Sequence, residues 1–179
     1  RGRRAPAGDP TGPLTFGTSG ARAMPFLARA GLGSTIPPDE VNSCGNMWAL
    51  KEQNITGVVS VASVGAIRKE FGPGALVLPD QIIDYTHARL TSYCDVAGAQ
   101  VRHIDFSEPY TQGLRKDLLS AASHSGVAIV DGGCYGATQG PRLETRAEIA
   151  RMRRDGCDLV GMTGMPEAYL ARELELSYA

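Results

Sequence analysis

The feature that most constrains the fold of this chain is the alternation of short apolar runs with segments of helical spacing. The run 57–62, Gly-Val-Val-Ser-Val-Ala, consists of small and β-branched residues and predicts a strand buried on both faces. Further short apolar runs occupy residues 75–78, 127–130 and 157–160. Because strands alternate with helices, we predict an α/β fold in which a mixed, largely parallel central sheet is flanked by helices.

The helical segments are marked by apolar spacing and by proline, aspartate or glycine at their ends. Residues 37–39, Pro-Pro-Asp, open one helix with Asp39 as its N-terminal cap. A helical pattern over residues 114–122 ends at Gly126. Two more helices are predicted over residues 144–155 and 166–174, and two short strands over residues 12–28.

The composition is that of an ordinary globular protein. The chain has 179 residues, 42% hydrophobic and 21% charged, which suits one domain spanning residues 1–179. Its net charge of −1 gives no reason to expect nucleic acid or an anionic membrane as a partner. No run is long and apolar enough to cross a bilayer, and no signal peptide opens the sequence, so we expect a cytoplasmic protein.

Several common kinds of site are disfavoured by the motifs that the sequence lacks. Its four cysteines include no Cys-x-x-Cys pair, which favours reduced, partly buried thiols over a zinc site. Gly-x-Gly-x-x-Gly, Walker and Gly-x-Ser-x-Gly motifs are missing as well, which argues against dinucleotide enzymes, nucleoside triphosphatases and the usual serine hydrolases. We therefore expect neither a metal nor an organic cofactor.

Two turns carry the polar residues most suited to a small-molecule site. Thr163 follows one apolar run and precedes a predicted helix, where free N–H groups and a hydroxyl could bind an anion. Glu144 begins another predicted helix, where its carboxylate could accept N–H groups of a ligand. Spacing alone favours a simple helix cap at Thr163 and a stabilising first-turn carboxylate at Glu144.

Three other residues allow both a functional and a structural interpretation. Ser63 ends the apolar run 57–62, where backbone N–H groups could approach an oxyanion, or where the chain could simply turn tightly. Arg29 could bind phosphate or be a solvated surface charge. His103 could be a ligand contact or an ordinary surface histidine.

Taken in order, several segments resemble the trimeric purine nucleoside phosphorylase family. The resemblance covers most of the chain from about residue 27 onward, and it is strongest to the branch of 5′-methylthioadenosine and S-methyl-5′-thioinosine phosphorylases. The segments are PPDEVN, NMWALK, VASVGAIRKEFGPGALVLPDQIIDYT, VRHIDFSEPY, YGATQGPRLETRAEI and DLVGMTGMPEAYLARE.

The resemblance implies phosphorolysis of a purine nucleoside, with inorganic phosphate as co-substrate and no further cofactor. Phosphate would attack C1′ of the ribose while the purine departs through an oxocarbenium-like transition state. The implied assembly is a homotrimer, in which His103 would reach a neighbouring subunit's site near the 5′ substituent. The other implied contacts are Arg29, Ala30, Ser63 and Thr163 with phosphate, and Ala62, Leu143, Glu144 and Met162 with the nucleoside.

Glu144 also implies a preference among purines. A 6-oxopurine presents an N1–H donor that a carboxylate can accept, whereas adenine presents a lone pair there, and an unmatched buried polar contact costs roughly 1–3 kcal/mol. Methylthioadenosine phosphorylases tend to carry a small hydroxyl residue at this place. The resemblance therefore favours methylthioinosine over methylthioadenosine or inosine, with these two kept as alternatives.

The sequence departs from the family pattern mainly around the phosphate. Ala30 stands where the family has histidine, and Ala62 stands where it usually has asparagine or threonine. The Gly-rich phosphate loop and the C-terminal purine-binding segment are not found in it, so we expect a sequence truncated at both ends. A catalytically impaired relative that retains purine binding or the trimer is the second hypothesis.

Overall fold

The computed structural model describes residues 8–20, 22–95 and 100–179. The helices are α1 (Ser43–Lys51), α2 (Gln112–His124), α3 (Arg146–Arg154) and α4 (Glu167–Glu173), with a 3₁₀ turn at Tyr93–Asp95. The strands are β1 (Leu14–Ser19), β2 (Arg22–Leu27), β3 (Gly57–Val58), β4 (Gly65–Ala66), β5 (Leu76–Leu78), β6 (Gln81–Asp84), β7 (Ile129–Asp131), β8 (Cys134–Ala137), β9 (Leu159–Gly161) and β10 (Ser177–Tyr178).

The central sheet is mixed and largely parallel, as the sequence predicts. Its four strands run in the order β4-β9-β8-β6, and only β4 is antiparallel to its neighbour. The pair β5–β7 continues the pair β6–β8 in the same register, so the two pairs form one long parallel ribbon interrupted between them. Strands β3 and β10 pair in parallel, and β1 and β2 form an antiparallel hairpin.

The main core lies where α1 and α4 pack beside the central sheet. Leu170 and Leu176 are fully buried, and Met47 and Leu159 join them in one apolar cluster. All four cysteines are free thiols, and Cys44 and Cys157 among them are buried, which confirms the expectation from their spacing. None of the helices in the described ranges is long and apolar enough to span a membrane.

The start of α1 corrects one prediction. Asp39 does not cap this helix, which begins four residues later at Ser43 with Asn42 as its cap. The Asn42 side chain accepts a hydrogen bond from the Gly45 N–H at 3.0 Å and donates one to the Asp9 carbonyl at 2.9 Å. Asn42 therefore caps the helix and also ties the chain near Asp9 to it.

Gly45 lies inside α1 because another part of the backbone approaches it closely. A methyl group at this position would lie 2.7 Å from the Asp9 carbonyl oxygen. We expect Gly45→Ala to lower the free energy of unfolding by about 1–3 kcal/mol despite alanine's better helix propensity. Gly113 in the first turn of α2 is the matched control, since a methyl group there would have no neighbour within 4 Å.

Urea unfolding of the two variants measures this prediction. Gly113→Ala should leave the stability unchanged or raise it by up to about 1 kcal/mol. Equal stability of Gly45→Ala and Gly113→Ala would contradict the proposed close approach.

The run 57–62 corrects a second prediction, because it is not a strand buried on both faces. Gly57 and Val58 pair with β10, and the Ser60 N–H donates to the Ala179 carbonyl at 2.8 Å, but the side chains of Val59 and Val61 are 53% and 80% exposed. Backbone pairing covers one edge of this segment, and no side chain of the described residues covers these two valines enough to bury them. The pairing therefore extends to Ser60, and the segment beyond it leads toward β4 with exposed side chains.

Candidate functional site

The centre of the candidate site is an ion pair between Arg29 and Glu167. Arg29 follows β2, and Glu167 opens α4. The Arg29 Nε lies 2.7 Å from Glu167 Oε2, and its Nη2 lies 3.0 Å from Oε1. The two-point contact fixes the plane of the guanidinium, because both carboxylate oxygens accept from the same fork of donors. Arg29 is thus a held cation rather than a solvated surface charge.

Glu167 is fully buried and binds two further hydroxyl groups. Its Oε1 accepts hydrogen bonds from Ser60 Oγ at 2.7 Å and from Tyr178 Oη at 2.8 Å, and Ser60 also contacts Arg29. The carboxylate joins the chain after β2, the segment after β3, and β10. A buried charge is tolerated when it is paired and hydrogen-bonded in this way.

The charges of this cluster shift the pKa values of its members. Burial lowers the pKa of Arg29, but the charge of Glu167 and its hydrogen bond outweigh burial, so the net pKa is raised. Burial, followed by the charge of Glu167, raises the pKa of Tyr178 well above its ordinary value. Arg29 therefore stays cationic, and Tyr178 stays a neutral hydrogen-bond donor.

Thr163 lies beside Nη1, the guanidinium nitrogen of Arg29 that Glu167 does not bind. The Arg29 Nη1 is 3.3 Å from Thr163 Oγ1 and 3.4 Å from the carbonyl of Val61. Thr163 does not cap α4, whose cap residue is Pro166. The structure thus brings together a cation and a hydroxyl that the sequence places 134 residues apart.

Tyr135 on β8 packs against the turn that carries Thr163. Its hydroxyl lies 3.4 Å from the Thr163 N–H, and a methyl group at Gly161 would overlap the ring. Burial raises the pKa of Tyr135, while its hydrogen bond with the Thr163 N–H acts in the opposite direction. The absence of a side chain at Gly161 is therefore what lets the tyrosine lie against the end of β9.

Ala62 and Ser63 lie in the exposed segment that passes this end of the sheet. The segment contacts Arg29 through the Val61 carbonyl, and it joins β9 where Gly65 pairs with Val160. Both Ala62 and Ser63 are exposed. The Ser63 backbone and hydroxyl are thus open to solvent on the same strip of surface.

Ala30 directly follows Arg29, whose guanidinium is held by Glu167. It is half-buried, and its carbonyl accepts a hydrogen bond from the Ile36 N–H at 3.1 Å. The Thr11 hydroxyl donates to the Arg29 carbonyl at 2.8 Å, and the Thr11 N–H donates to Asn46 Oδ1 at 2.8 Å. The backbone on both sides of the Arg29–Ala30 bond is therefore held as well.

Glu144 lies outside α3 rather than beginning it. Thr145 is the cap residue, and Thr145 and Glu148 form a capping box, so Glu144 takes no part in capping the helix. Its Oε1 accepts a hydrogen bond from Thr138 Oγ1 at 2.6 Å, and the Thr138 N–H donates to the Gly161 carbonyl at 2.7 Å. Glu144 is therefore fixed to the end of β9 through Thr138.

The turn that leads to Glu144 packs directly on the turn that carries Thr163. A methyl group at Gly140 would lie 2.6 Å from the Met162 sulfur, so the thioether rests on the glycine backbone. Leu143 projects outward and is 80% exposed. The structure thus places Met162, Thr163 and Glu144 at neighbouring strand ends, as expected for a small-molecule site in an α/β fold.

A cavity of about 640 Å³ borders Glu144. Its lining includes Thr138 and Glu144 together with Asp84 and His87, but, among the described residues, neither Met162 nor Thr163. Glu144 thus borders both this cavity and the turns at the end of β9. His103 does not line this cavity, and it is exposed in a segment without regular structure.

Glu167, Tyr135, Tyr178 and Thr138 are the functional candidates that sequence reasoning missed. An acidic residue after Pro166 is ordinarily explained by the helix dipole. The sequence does contain one signal for Glu167, because it lies among apolar residues in Met165-Pro166-Glu167-Ala168. An acidic residue in such a segment is expected to be buried and paired with a cation. No cluster of His, Cys, Asp and Glu in the described ranges has an arrangement that could hold a metal ion.

Comparison with known proteins gives consistent matches. The sequence profile described as "Phosphorylase superfamily" matches residues 3–179. The chain is 54% identical to a probable S-methyl-5′-thioinosine phosphorylase of Xanthomonas campestris over 97% of this chain and 70% of that protein. It is 43% identical to the 6-oxopurine nucleoside phosphorylase of Pyrococcus furiosus over 93% of this chain and 64% of that protein.

A solved structure matches the fold of this chain over almost its whole length. The methylthioadenosine phosphorylase of Schistosoma mansoni, in its apo form, superposes with a TM-score of 0.93 at 31% identity. The superposition covers 99% of this chain and 70% of that one.

Proposed function

Because this chain belongs to the phosphorylase superfamily, we propose that it cleaves S-methyl-5′-thioinosine with phosphate, yielding hypoxanthine and 5-methylthioribose 1-phosphate for purine salvage. The relatives named for this substrate support the choice of nucleoside. The single observation that carries the proposal is the meeting of the clamped Arg29 guanidinium with the Thr163 hydroxyl, beside the turn of Glu144.

The phosphate half of the proposed site is built on a fixed cation. In this proposal phosphate binds beside Arg29 Nη1 and Thr163 Oγ1, which lie 3.3 Å apart, with the backbone at Ala30 and Ser63 as further contacts. Glu167 holds the guanidinium in one orientation before phosphate arrives, so little reorganisation is needed during the reaction. A phosphate oxygen then attacks C1′ while the bond from C1′ to the purine breaks.

The nucleoside half of the proposed site lies across the neighbouring turns. Met162 packs on the ribose, while Ala62 and Leu143 border the nucleoside. Glu144 accepts the N1–H of a 6-oxopurine through the carboxylate oxygen that Thr138 leaves unused. The electron pair of the broken glycosidic bond passes to the purine ring, which takes up the proton that the hydrogen phosphate gives up and leaves as hypoxanthine.

The assembly and setting of the enzyme are part of the same proposal. We propose a homotrimer in which His103, exposed in this chain, contributes to a neighbouring subunit's site near the 5′ substituent. Inorganic phosphate as co-substrate, without another cofactor, and a cytoplasmic location remain predictions from the sequence.

A second candidate, phosphorolysis of ordinary 6-oxopurine nucleosides such as inosine, is favoured by Glu144 itself. A carboxylate facing N1 selects the base and not the 5′ group, and one relative is named for that activity. The two candidates therefore differ only at the 5′ substituent.

Initial-rate assays of purine release test the proposal. The protein is given methylthioinosine, methylthioadenosine or inosine, each with and without phosphate. We expect phosphate-dependent release of hypoxanthine, fastest from methylthioinosine. Faster cleavage of inosine would support the second candidate, a preference for methylthioadenosine would reject the role of Glu144, and no release with phosphate would indicate a catalytically impaired relative.

A further inference from the structure

Arg89 is a half-buried arginine in the loop after β6 that no motif singled out. Its guanidinium donates to four backbone carbonyls and one side-chain amide. The acceptors are the carbonyls of Met162 at 2.9 Å, Met165 at 2.7 Å, Gln139 at 2.6 Å and Thr138 at 3.3 Å, and Gln139 Oε1 at 3.3 Å.

These acceptors belong to two different turns. Thr138 and Gln139 follow β8, whereas Met162 and Met165 follow β9. The two strands are parallel neighbours whose paired register ends at Ala137 and Gly161, so the carbonyls that bind Arg89 lie beyond the ladder. The five-donor fork of one arginine satisfies both sets at once, which a single lysine ammonium cannot do in the same geometry.

The two turns are those that form the nucleoside half of the proposed site. Thr138 holds Glu144 at 2.6 Å, and Met162 precedes Thr163 in the other turn. Arg89 therefore bridges the turn of the carboxylate proposed to bind the purine and the turn of the thioether proposed to pack on the ribose, in addition to the hydrogen bond from the Thr138 N–H to the Gly161 carbonyl. Thr163, proposed for the phosphate half, lies in the turn after β9 as well, but it has its own contacts with Arg29 at 3.3 Å and Tyr135 at 3.4 Å, and Glu167 holds Arg29.

We propose that Arg89 is a positioning residue for the nucleoside, acting through the turns after β8 and β9. This inference rests on the proposed function. It assigns the two halves of the site to two different arginines, Arg89 for the nucleoside and Arg29 for phosphate. A misplacement of about 1 Å at a reacting group can cost on the order of 100-fold in rate, so the loss of this bridge has a measurable effect.

Bisubstrate kinetics of Arg89→Met test the assignment. We expect kcat/KM for the nucleoside to fall by about 10- to 100-fold, while KM for phosphate stays within about 2-fold of the wild type. Arg89→Lys should restore part of the loss, because it keeps the charge and some of the donors. Arg68→Met is the matched control, since the Arg68 side chain is half-exposed and, among the described residues, its charged group interacts with Glu70, Asp158 and Phe71.

Two outcomes would overturn the inference. Equal loss toward both substrates, or a loss no greater than that of Arg68→Met, would show that Arg89 has no selective role in the nucleoside half. Hydrogen–deuterium exchange separates this from failure of the proposed function, because it needs no activity. We expect faster exchange in residues 138–145 and 161–166 of Arg89→Met, with residues 22–31 unchanged, and unchanged exchange throughout would reject the bridge itself.

Discussion

Replacing Arg29 by methionine is expected to lower kcat/KM for phosphate by on the order of 100-fold or more, since it removes the main cation of the proposed phosphate site. It should also lower the free energy of unfolding by about 3–5 kcal/mol, because it leaves the Glu167 carboxylate buried and unpaired. Phosphate-dependent initial rates and urea unfolding measure the two effects.

Two further variants separate the loss of phosphate binding from the loss of stability. Arg29→Lys keeps the charge opposite Glu167 and should remain folded, yet it loses the two-point contact and should still weaken phosphate binding. Arg115→Met removes another buried arginine, which contacts Asp131 and two carbonyls away from the site. It should lose stability without changing KM for phosphate, and an equal change of that KM in Arg115→Met would contradict the assignment of Arg29.

Replacing Glu144 by glutamine is expected to change which purine the enzyme accepts. The carboxylate can only accept hydrogen bonds, and Thr138 already occupies one of its oxygens. Glutamine can present an NH₂ group to the bare N1 of adenine. The ratio of kcat/KM for methylthioinosine to that for methylthioadenosine should therefore fall by about 10- to 100-fold, which corresponds to roughly 1–3 kcal/mol.

Glu148→Gln is the matched control on the same turn. Its carboxylate binds the Thr145 N–H at 2.7 Å and Arg142, and these contacts lower its pKa to about 2, the Arg142 hydrogen bond most strongly. The variant should loosen the start of α3 and leave the ratio between the two nucleosides unchanged. A ratio that shifts equally in both variants would assign the effect to the turn and not to Glu144.

The sequence predicts the kind of sheet better than it predicts burial. The alternation of apolar runs and helices correctly indicated a mixed, largely parallel sheet, and the resemblance led to the family that the comparisons show. The run 57–62 has the composition of a buried strand, but Val61 is 80% exposed. The composition of a segment indicates whether its side chains are suited to the protein interior. Whether they are buried depends on which other segment of the chain packs over them.

The cap of α1 and the ion pair between Arg29 and Glu167 were not predictable, because both depend on contacts between distant parts of the chain. Asp39 and Asn42 are both suitable cap residues, and the contact with Asp9 that favours Asn42 comes from a distant part of the chain. Glu167 pairs with Arg29 across 138 residues, and nothing in either local sequence identifies the partner. Long-range pairing of polar residues is decided by the assembled fold, and spacing patterns carry little of that information.

The central claim is that the enzyme transfers the ribosyl group to phosphate. Phosphorus-31 NMR of the protein with methylthioinosine and inorganic phosphate measures this directly, because the phosphate resonance is replaced by that of a sugar 1-phosphate. We predict one equivalent of 5-methylthioribose 1-phosphate for each hypoxanthine released. Hypoxanthine released with the phosphate signal unchanged would mean that water is the nucleophile, and it would contradict the account.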